Sequence, residues 1–249
     1  MRFVSVQETN IDFPGKQAMI VFTPKCNYRC PTGYCHGMTA GEANVDEEQI
    51  YEILKKRAGW VDGVVVCGGE PTLQHRLPNF LENVKKLGLS TKLDTNGSNY
   101  QMIGKLIQEK LIDYIAMDIK APSGMYKKII GLKDEDRFDL RDDVEKGIYA
   151  VQSAPAFEFR TTVVPIFNPD LRWFTQQEAR DMAEWVKQSC PYDLGKWYVQ
   201  PFVAQEKGEM IDERFGKENL PQEFRRTPRE KLEEIAASIS ECGFKARVR

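Results

Sequence analysis

No run of about 18 apolar residues occurs in the chain, which excludes a membrane-spanning helix. The start, "MRFVSVQETN", has no apolar stretch behind a basic head, so no secretory signal is expected. Charge of one sign is not in excess either: 35 Lys and Arg stand against 37 Asp and Glu, a net −2. The basic residues are scattered among the acidic ones, with no basic face for a nucleic-acid backbone. Low-complexity segments and domain linkers are also lacking. These absences point to a cytoplasmic chain with reduced thiols, and with neither a membrane nor nucleic acid as partner. With 249 residues, 41% of them hydrophobic, it is long enough for one α/β barrel domain.

What is present is a repeated alternation of strand and helix patterns. "AMIVFT" (18–23), "DGVVVCGG" (62–69), "LSTKLDTNG", "DYIAMDIK" (113–120), "AFEFRTTVVP" (156–165) and "KWYVQPF" are strand-like, and helical spacing recurs between them. In the first helix Asp46 is the expected N-cap, with Gln49 as its capping-box partner. Strand then helix, about six times, predicts an α/β fold with a parallel sheet and right-handed crossovers. Residues 203–226 are polar and predict a long loop. A closing helix is expected with Thr227 as N-cap, Pro228 as its first residue, Glu230 as capping partner and Gly243 as its stop. In such folds sites sit at the carboxyl ends of strands, and here five of those ends carry polar chemistry.

The first strand end carries "TPKCNYRCPTGYCHG" (23–37), where three of the six cysteines, Cys26, Cys30 and Cys35, fall within ten residues. A structural zinc site wants four ligands. His36 adjoins Cys35 and is awkward for the same ion, whereas Cys67, at a strand end, is a conceivable fourth. A [4Fe–4S] cluster normally takes four thiolates, so three would leave one iron open to a substrate. A zinc knuckle is the plain alternative. "GGEP" alone reads as an ordinary turn, and so do Asn96 and Gly97. Asp118 and Lys120 read equally well as a rim ion pair. His75 is expected on a surface loop, and Cys190 and Cys242 as structural residues.

Taken together, "NIDFPGK", the cysteine segment, "VDGVVVCGGEPTLQ", "TKLDTNGSN", "DYIAMDIKAP" and "FRTTVVP" resemble the radical S-adenosylmethionine enzymes. The chain is most similar to the anaerobic ribonucleoside-triphosphate reductase activating proteins, near the pyruvate formate-lyase activating enzymes. The likeness runs in family order over roughly the first 205 residues. It implies a single domain spanning 1–249, a partial (β/α)6 TIM-like barrel with parallel strands, an N-terminal extension and a C-terminal helix. The barrel core would cover about 17–202, and the polar loop and helix 203–249. One departure stands out. The family spacing is C-x3-C-x2-C, while Thr32 and Gly33 lengthen the second interval here to x4. Gly33 at positive φ would let Cys35 still reach its iron.

The resemblance implies that Cys26, Cys30 and Cys35 ligate three irons and S-adenosylmethionine chelates the fourth. Tyr34 would lie near the adenine, and Gly68, Gly69 and Glu70 would meet the amino group. Asp94, Thr95 and Asp118 would surround the methionine carboxylate, with a bound monovalent or divalent cation a further expectation. Lys120 and Arg160 would face the same pocket. The implied reaction is reductive cleavage to a 5′-deoxyadenosyl radical, which takes a hydrogen from a glycine of a partner glycyl-radical enzyme under anaerobic conditions. That partner would be anaerobic ribonucleotide reductase, and the electron donor a flavodoxin or ferredoxin type. Two alternatives stand beside this oxidoreductase. One is a small-molecule enzyme like 7-carboxy-7-deazaguanine synthase, which usually shows "CDT" and "ETNG" where this chain has "CHG" and "DTNG". The other is a non-enzymatic iron–sulfur or zinc-binding module.

Overall fold

The structure is a computed structural model that describes residues 1–33, 43–133, 135–167, 169–206 and 210–249. It begins with β1 (Arg2–Phe3), β2 (Ser5–Thr9), β3 (Ala18–Thr23), β4 (Val45–Asp46) and helix α1 (Glu47–Lys56). There follow β5 (Gly63–Gly68), α2 (Leu77–Lys86), β6 (Ser90–Thr95), α3 (Tyr100–Gln108), β7 (Tyr114–Asp118), the short α4 (Tyr126–Ile129) and α5 (Lys146–Val151). The chain continues through β8 (Phe157–Val163), β9 (Ile166–Phe167), β10 (Leu171–Arg172), α6 (Gln176–Gln188), β11 (Lys196–Pro201), α7 (Arg229–Glu241) and β12 (Lys245–Val248).

Eight strands form one sheet in the order β12-β11-β8-β7-β6-β5-β3-β2. All neighbours are parallel except β2, which runs antiparallel to β3. The order never reverses, so successive crossovers add strands in one direction and wind the sheet into a barrel that stays open between β12 and β2. The expected partial barrel is therefore present. Helix α1 starts as its sequence predicts: the Asp46 side chain accepts from Gln49 N at 3.0 Å, and the Gln49 side chain accepts from Asp46 N at 2.9 Å. Ile50, Tyr51 and Leu54 lie on its buried face. Each fully buried side chain of this kind adds roughly 1.5–3 kcal/mol.

The period of two along the strands separates two environments. Met19, Val21, Val64, Val66, Leu93, Ile115, Met117 and Phe159 point outward into the large core beneath the helices. The alternate positions point inward. Near the amino ends they are apolar, with Ala18, Ile20 and Val65 packed around Phe13. Phe13 belongs to the "NIDFPGK" segment, which thus fills the inside of the barrel. Along β6, β7 and β8 the inward positions carry Lys92, Asp94, Asp118, Glu158 and Arg160, with Ala116 between Asp94 and Glu158.

Two sequence expectations are corrected here. Thr227 does not cap α7; its hydroxyl donates to Val163 O at 2.8 Å and accepts from Phe202 N at 2.8 Å. Pro228 becomes the cap residue, without a side-chain hydrogen bond, and the helix begins at Arg229. The chain also does not close on a helix, because β12 adds a strand parallel to β11. The stretch expected as a polar loop buries Met210, Phe215 and Leu220.

Candidate active site

A cavity of about 380 Å³ opens at the carboxyl ends of the strands. Its wall carries Cys26, Cys30, Gly68, Gly69, Glu70, Asp94, Thr95, Asp118, Lys120 and Arg160. Ten residues expected to be functional, from five strand ends, are thus gathered at one place. Tyr34 and Cys35 lie outside the described residues.

The loop bearing Cys26 and Cys30 is gripped from two sides. Gly69 N donates to Thr23 O at 2.9 Å, Glu70 N to Lys25 O at 2.8 Å, and Arg29 N to Ile130 O at 2.8 Å. These approaches require glycine. A Cβ on Gly69 would stand 1.9 Å from Lys25 O, and one on Gly131 2.0 Å from Arg29 O. Gly68 has φ +111°, and a Cβ there would stand 2.4 Å from Thr23 N. The glycine pair was expected to admit a ligand; its close neighbour in the structure is the cysteine loop itself. Gly33 is corrected too. Its φ is not positive; its N–H donates to Cys30 O at 2.8 Å, and a Cβ would stand 3.0 Å from that oxygen.

Burial pushes the Cys26 thiol up to about 12, against the Tyr28 N–H that points at its sulfur from 3.4 Å. Cys30 and Cys67 are raised by the same cause. Loading a metal here must therefore expel protons. Cys67 does not join the pair as a further ligand: among the described residues no three His, Cys, Asp or Glu side chains converge on a metal position. Two unpaired thiols on the wall of an open cavity fit a cluster completed by a third from outside the described residues.

Glu70 is 1% exposed, and its carboxylate is filled by protein donors. One oxygen accepts from Thr72 N (3.1 Å), Thr72 Oγ1 (2.6 Å) and Thr95 Oγ1 (2.7 Å). The other accepts from Asn96 N at 2.7 Å. Burial still holds the carboxyl above the usual range, against those four hydrogen bonds. In this arrangement Glu70 ties the end of β5 to the end of β6.

Beside it runs a chain of alternating charges. Lys92, fully buried, contacts one oxygen of Asp94. The other oxygen takes Arg160 Nη1 at 2.7 Å. Arg160 Nε reaches Asp118 at 3.0 Å, and Asp118 takes Lys120 Nζ at 3.2 Å. Burial alone would raise both Asp carboxyls; Arg160 and Lys92 outweigh it at Asp94, and Lys120 and Arg160 at Asp118, so both sit below the usual range. Burial likewise opposes the charge of Arg160, and Asp94 and Asp118 override it. The rim ion pair foreseen for Asp118 and Lys120 is real, and it is the outer end of this chain. Arg160 bridges the two carboxylates that were expected near a cation. Sequence reasoning missed Lys92 and Gly131, whose roles depend on partners far along the chain.

A family model described as the Radical SAM superfamily matches residues 20–184. A Methanocaldococcus jannaschii protein, provisionally named a glycyl-radical enzyme activating enzyme, is 31% identical over 223 residues, covering 88% of this chain and 85% of its own. A 7-carboxy-7-deazaguanine synthase of Hyperthermus butylicus is 37% identical over 99 residues, 38% of this chain and 40% of its own. Among solved structures, Streptococcus suis SuiB bound to precursor peptide SuiA shares the fold with a TM-score of 0.62 at 12% identity, over 92% of this chain and 48% of that chain.

Proposed function

Since the chain belongs to the radical S-adenosylmethionine superfamily, we propose that it activates a glycyl-radical enzyme, with anaerobic ribonucleotide reductase as the partner. Membership implies a [4Fe–4S] cluster and S-adenosylmethionine. Cys26, Cys30 and Cys35 would hold the cluster. Gly68, Gly69, Glu70, Asp94, Thr95, Asp118, Lys120 and Arg160 would form the cosubstrate pocket, with Tyr34 beside the adenine. When bound, these groups supply an electron and a carbon-centred radical able to take a hydrogen atom from a glycine Cα. A flavodoxin- or ferredoxin-type protein would deliver the electron.

The chain's own residues supply position. Glu70, through Thr95 Oγ1 and Asn96 N, locks two strand ends together beneath the cavity. Arg160 is fixed between two carboxylates and cannot swing away without breaking both contacts. Phe22, Ile119, Ile129, Val164 and Ile211 supply apolar parts of the wall, which would keep water from a reactive intermediate.

One observation carries the preference for a peptide glycine over a nucleotide. Among the described residues, the cations of the cavity wall are Lys120 and Arg160, and both are already paired with carboxylates. That suits an uncharged backbone segment beside an apolar wall; a triphosphate would need unpaired cations. The similarity to the M. jannaschii protein, which spans most of both chains, supports the same reading. A small-molecule reaction like that of the H. butylicus synthase is the second reading, favoured by a stretch of 99 residues.

The test is anaerobic incubation of reduced, cluster-loaded protein with S-adenosylmethionine and a co-encoded glycyl-radical enzyme. A glycine-centred radical should appear by electron paramagnetic resonance. Cleavage to 5′-deoxyadenosine while every such partner stays silent would replace the activase reading with the small-molecule one.

A further inference from the structure

Asn96 follows β6, in a tetrapeptide that reads as a plain turn, yet only 4% of it is exposed and it lines the cavity. Its side-chain oxygen accepts from Ser98 N at 2.9 Å, which fixes which end of the amide faces the turn. The nitrogen end must then face the cysteine loop. There it donates to Asn27 Oδ1 at 2.9 Å and lies 3.9 Å from Cys26 Sγ. Asn27 turns its oxygen to the Asn96 amide nitrogen, and its own amide nitrogen then donates to Ser98 Oγ at 2.9 Å. The backbone of Asn96 is held as well, its N–H donating to Glu70 at 2.7 Å.

One amide hydrogen of Asn96 is thus committed to Asn27, and the second is left for the Cys26 sulfur. Tyr28 N points at the same sulfur from 3.4 Å. Hydrogen bonds to the sulfurs of an iron–sulfur centre stabilise its more negative state, and so help set its reduction potential. On the reading that Cys26 is a cluster ligand, we propose that Asn96 is a positioning residue that orients the Cys26 thiolate and raises the cluster's reduction potential. It would thereby ease the transfer of one electron from the donor to the cluster. Asn27 is its support.

The experiment compares reconstituted wild type with Asn96→Ala, Asn96→Asp and Asn27→Ala. Iron and sulfide are counted, and the midpoint potential is measured by dithionite titration followed by electron paramagnetic resonance. With iron content unchanged, Asn96→Ala should lower the ratio of reduced to oxidised cluster at the wild-type midpoint by roughly three- to tenfold. Asn96→Asp keeps an oxygen for Ser98 N but sets a charge beside the sulfur, so it should shift the ratio further in the same direction. Asn27→Ala should shift it least, because Asn96 keeps its N–H toward Cys26. Full iron with an unmoved midpoint in both Asn96 variants overturns the proposal. Loss of iron from all three variants would make these residues mere loop supports, and also overturns it. A wild type that takes up no iron would instead remove the reading of Cys26 as a ligand, and the proposal with it.

Discussion

Lys92→Met tests whether the interior charge chain holds the site together. The substitution keeps the length of the side chain and removes its charge. Lys92 is fully buried, and Asp94 is 6% exposed. Deleting one partner of a buried pair typically costs about 3–5 kcal/mol, because the other charge is left without compensation. Here Asp94 keeps Arg160 at 2.7 Å, so the loss should fall lower, at about 2–3 kcal/mol. For a chain of 249 residues that corresponds to a fall in melting temperature of about 4–12 °C. The assay is urea unfolding of the metal-free protein, followed by circular dichroism across pH. Asp94 is held below the usual carboxylate range in the folded state, Arg160 and Lys92 overcoming the opposing effect of burial. Its stabilisation is therefore present above the unfolded value of about 3.9 and is lost as pH falls through the native value. The gap between wild type and variant should be full at neutral pH and narrow towards acid. The double variant Lys92→Met with Asp94→Asn should recover part of the loss, giving a coupling of about 1 kcal/mol or more. A variant as stable as wild type at pH 7, or a gap that widens in acid, would refute the reasoning.

Three shorter predictions accompany it. Anaerobic reconstitution should load about four irons per chain; Cys26→Ala, Cys30→Ala and Cys35→Ala should each abolish this while Cys190→Ala and Cys242→Ala keep it, as read by iron assay and visible absorption. Gly69→Ala forces a Cβ against Lys25 O and should cost about 1–3 kcal/mol with reduced iron uptake, whereas normal stability and uptake would show that the loop can shift. Glu70→Ala leaves Thr72 N and Asn96 N buried without their acceptor, at about 1–3 kcal/mol each, so calorimetry should show a lower melting temperature together with weaker S-adenosylmethionine binding. Weaker binding at an unchanged melting temperature would mean that the carboxylate serves the ligand alone.

Several features were legible in the sequence because each rests on local chemistry. The capping box of Asp46 and Gln49 needs only residues three apart. The strands expected over 18–23, 62–69 and 113–120 follow from apolar runs giving way to polar residues, and they end in the structure at Thr23, Gly68 and Asp118, while the strand expected to end at Asp94 runs on to Thr95. Others were not legible because they depend on partners far along the chain. Lys92 inside a strand looks like a surface residue until the register places β6 between β5 and β7. Gly131 has no local role; it matters because Arg29, a hundred residues away, passes against it. Thr227 has the chemistry of a cap but spends its hydroxyl on Val163 and Phe202. The strand β12 covers only Lys245–Val248, too short for its alternation to stand out.

The double grip on the cysteine loop bears on where this sequence can tolerate insertion. The backbone contacts to Lys25 and Arg29 flank Cys26, Asn27 and Tyr28, so this interval keeps its shape with no metal present. An extra residue between Cys26 and Cys30 would throw one grip or the other out of register. Residues added after Cys30 leave both grips intact. The two-residue lengthening occurs after Cys30, in the interval that neither grip constrains. The stretch from Lys25 to Arg29 is thus held as rigid scaffold, and the lengthened interval begins where both grips have ended.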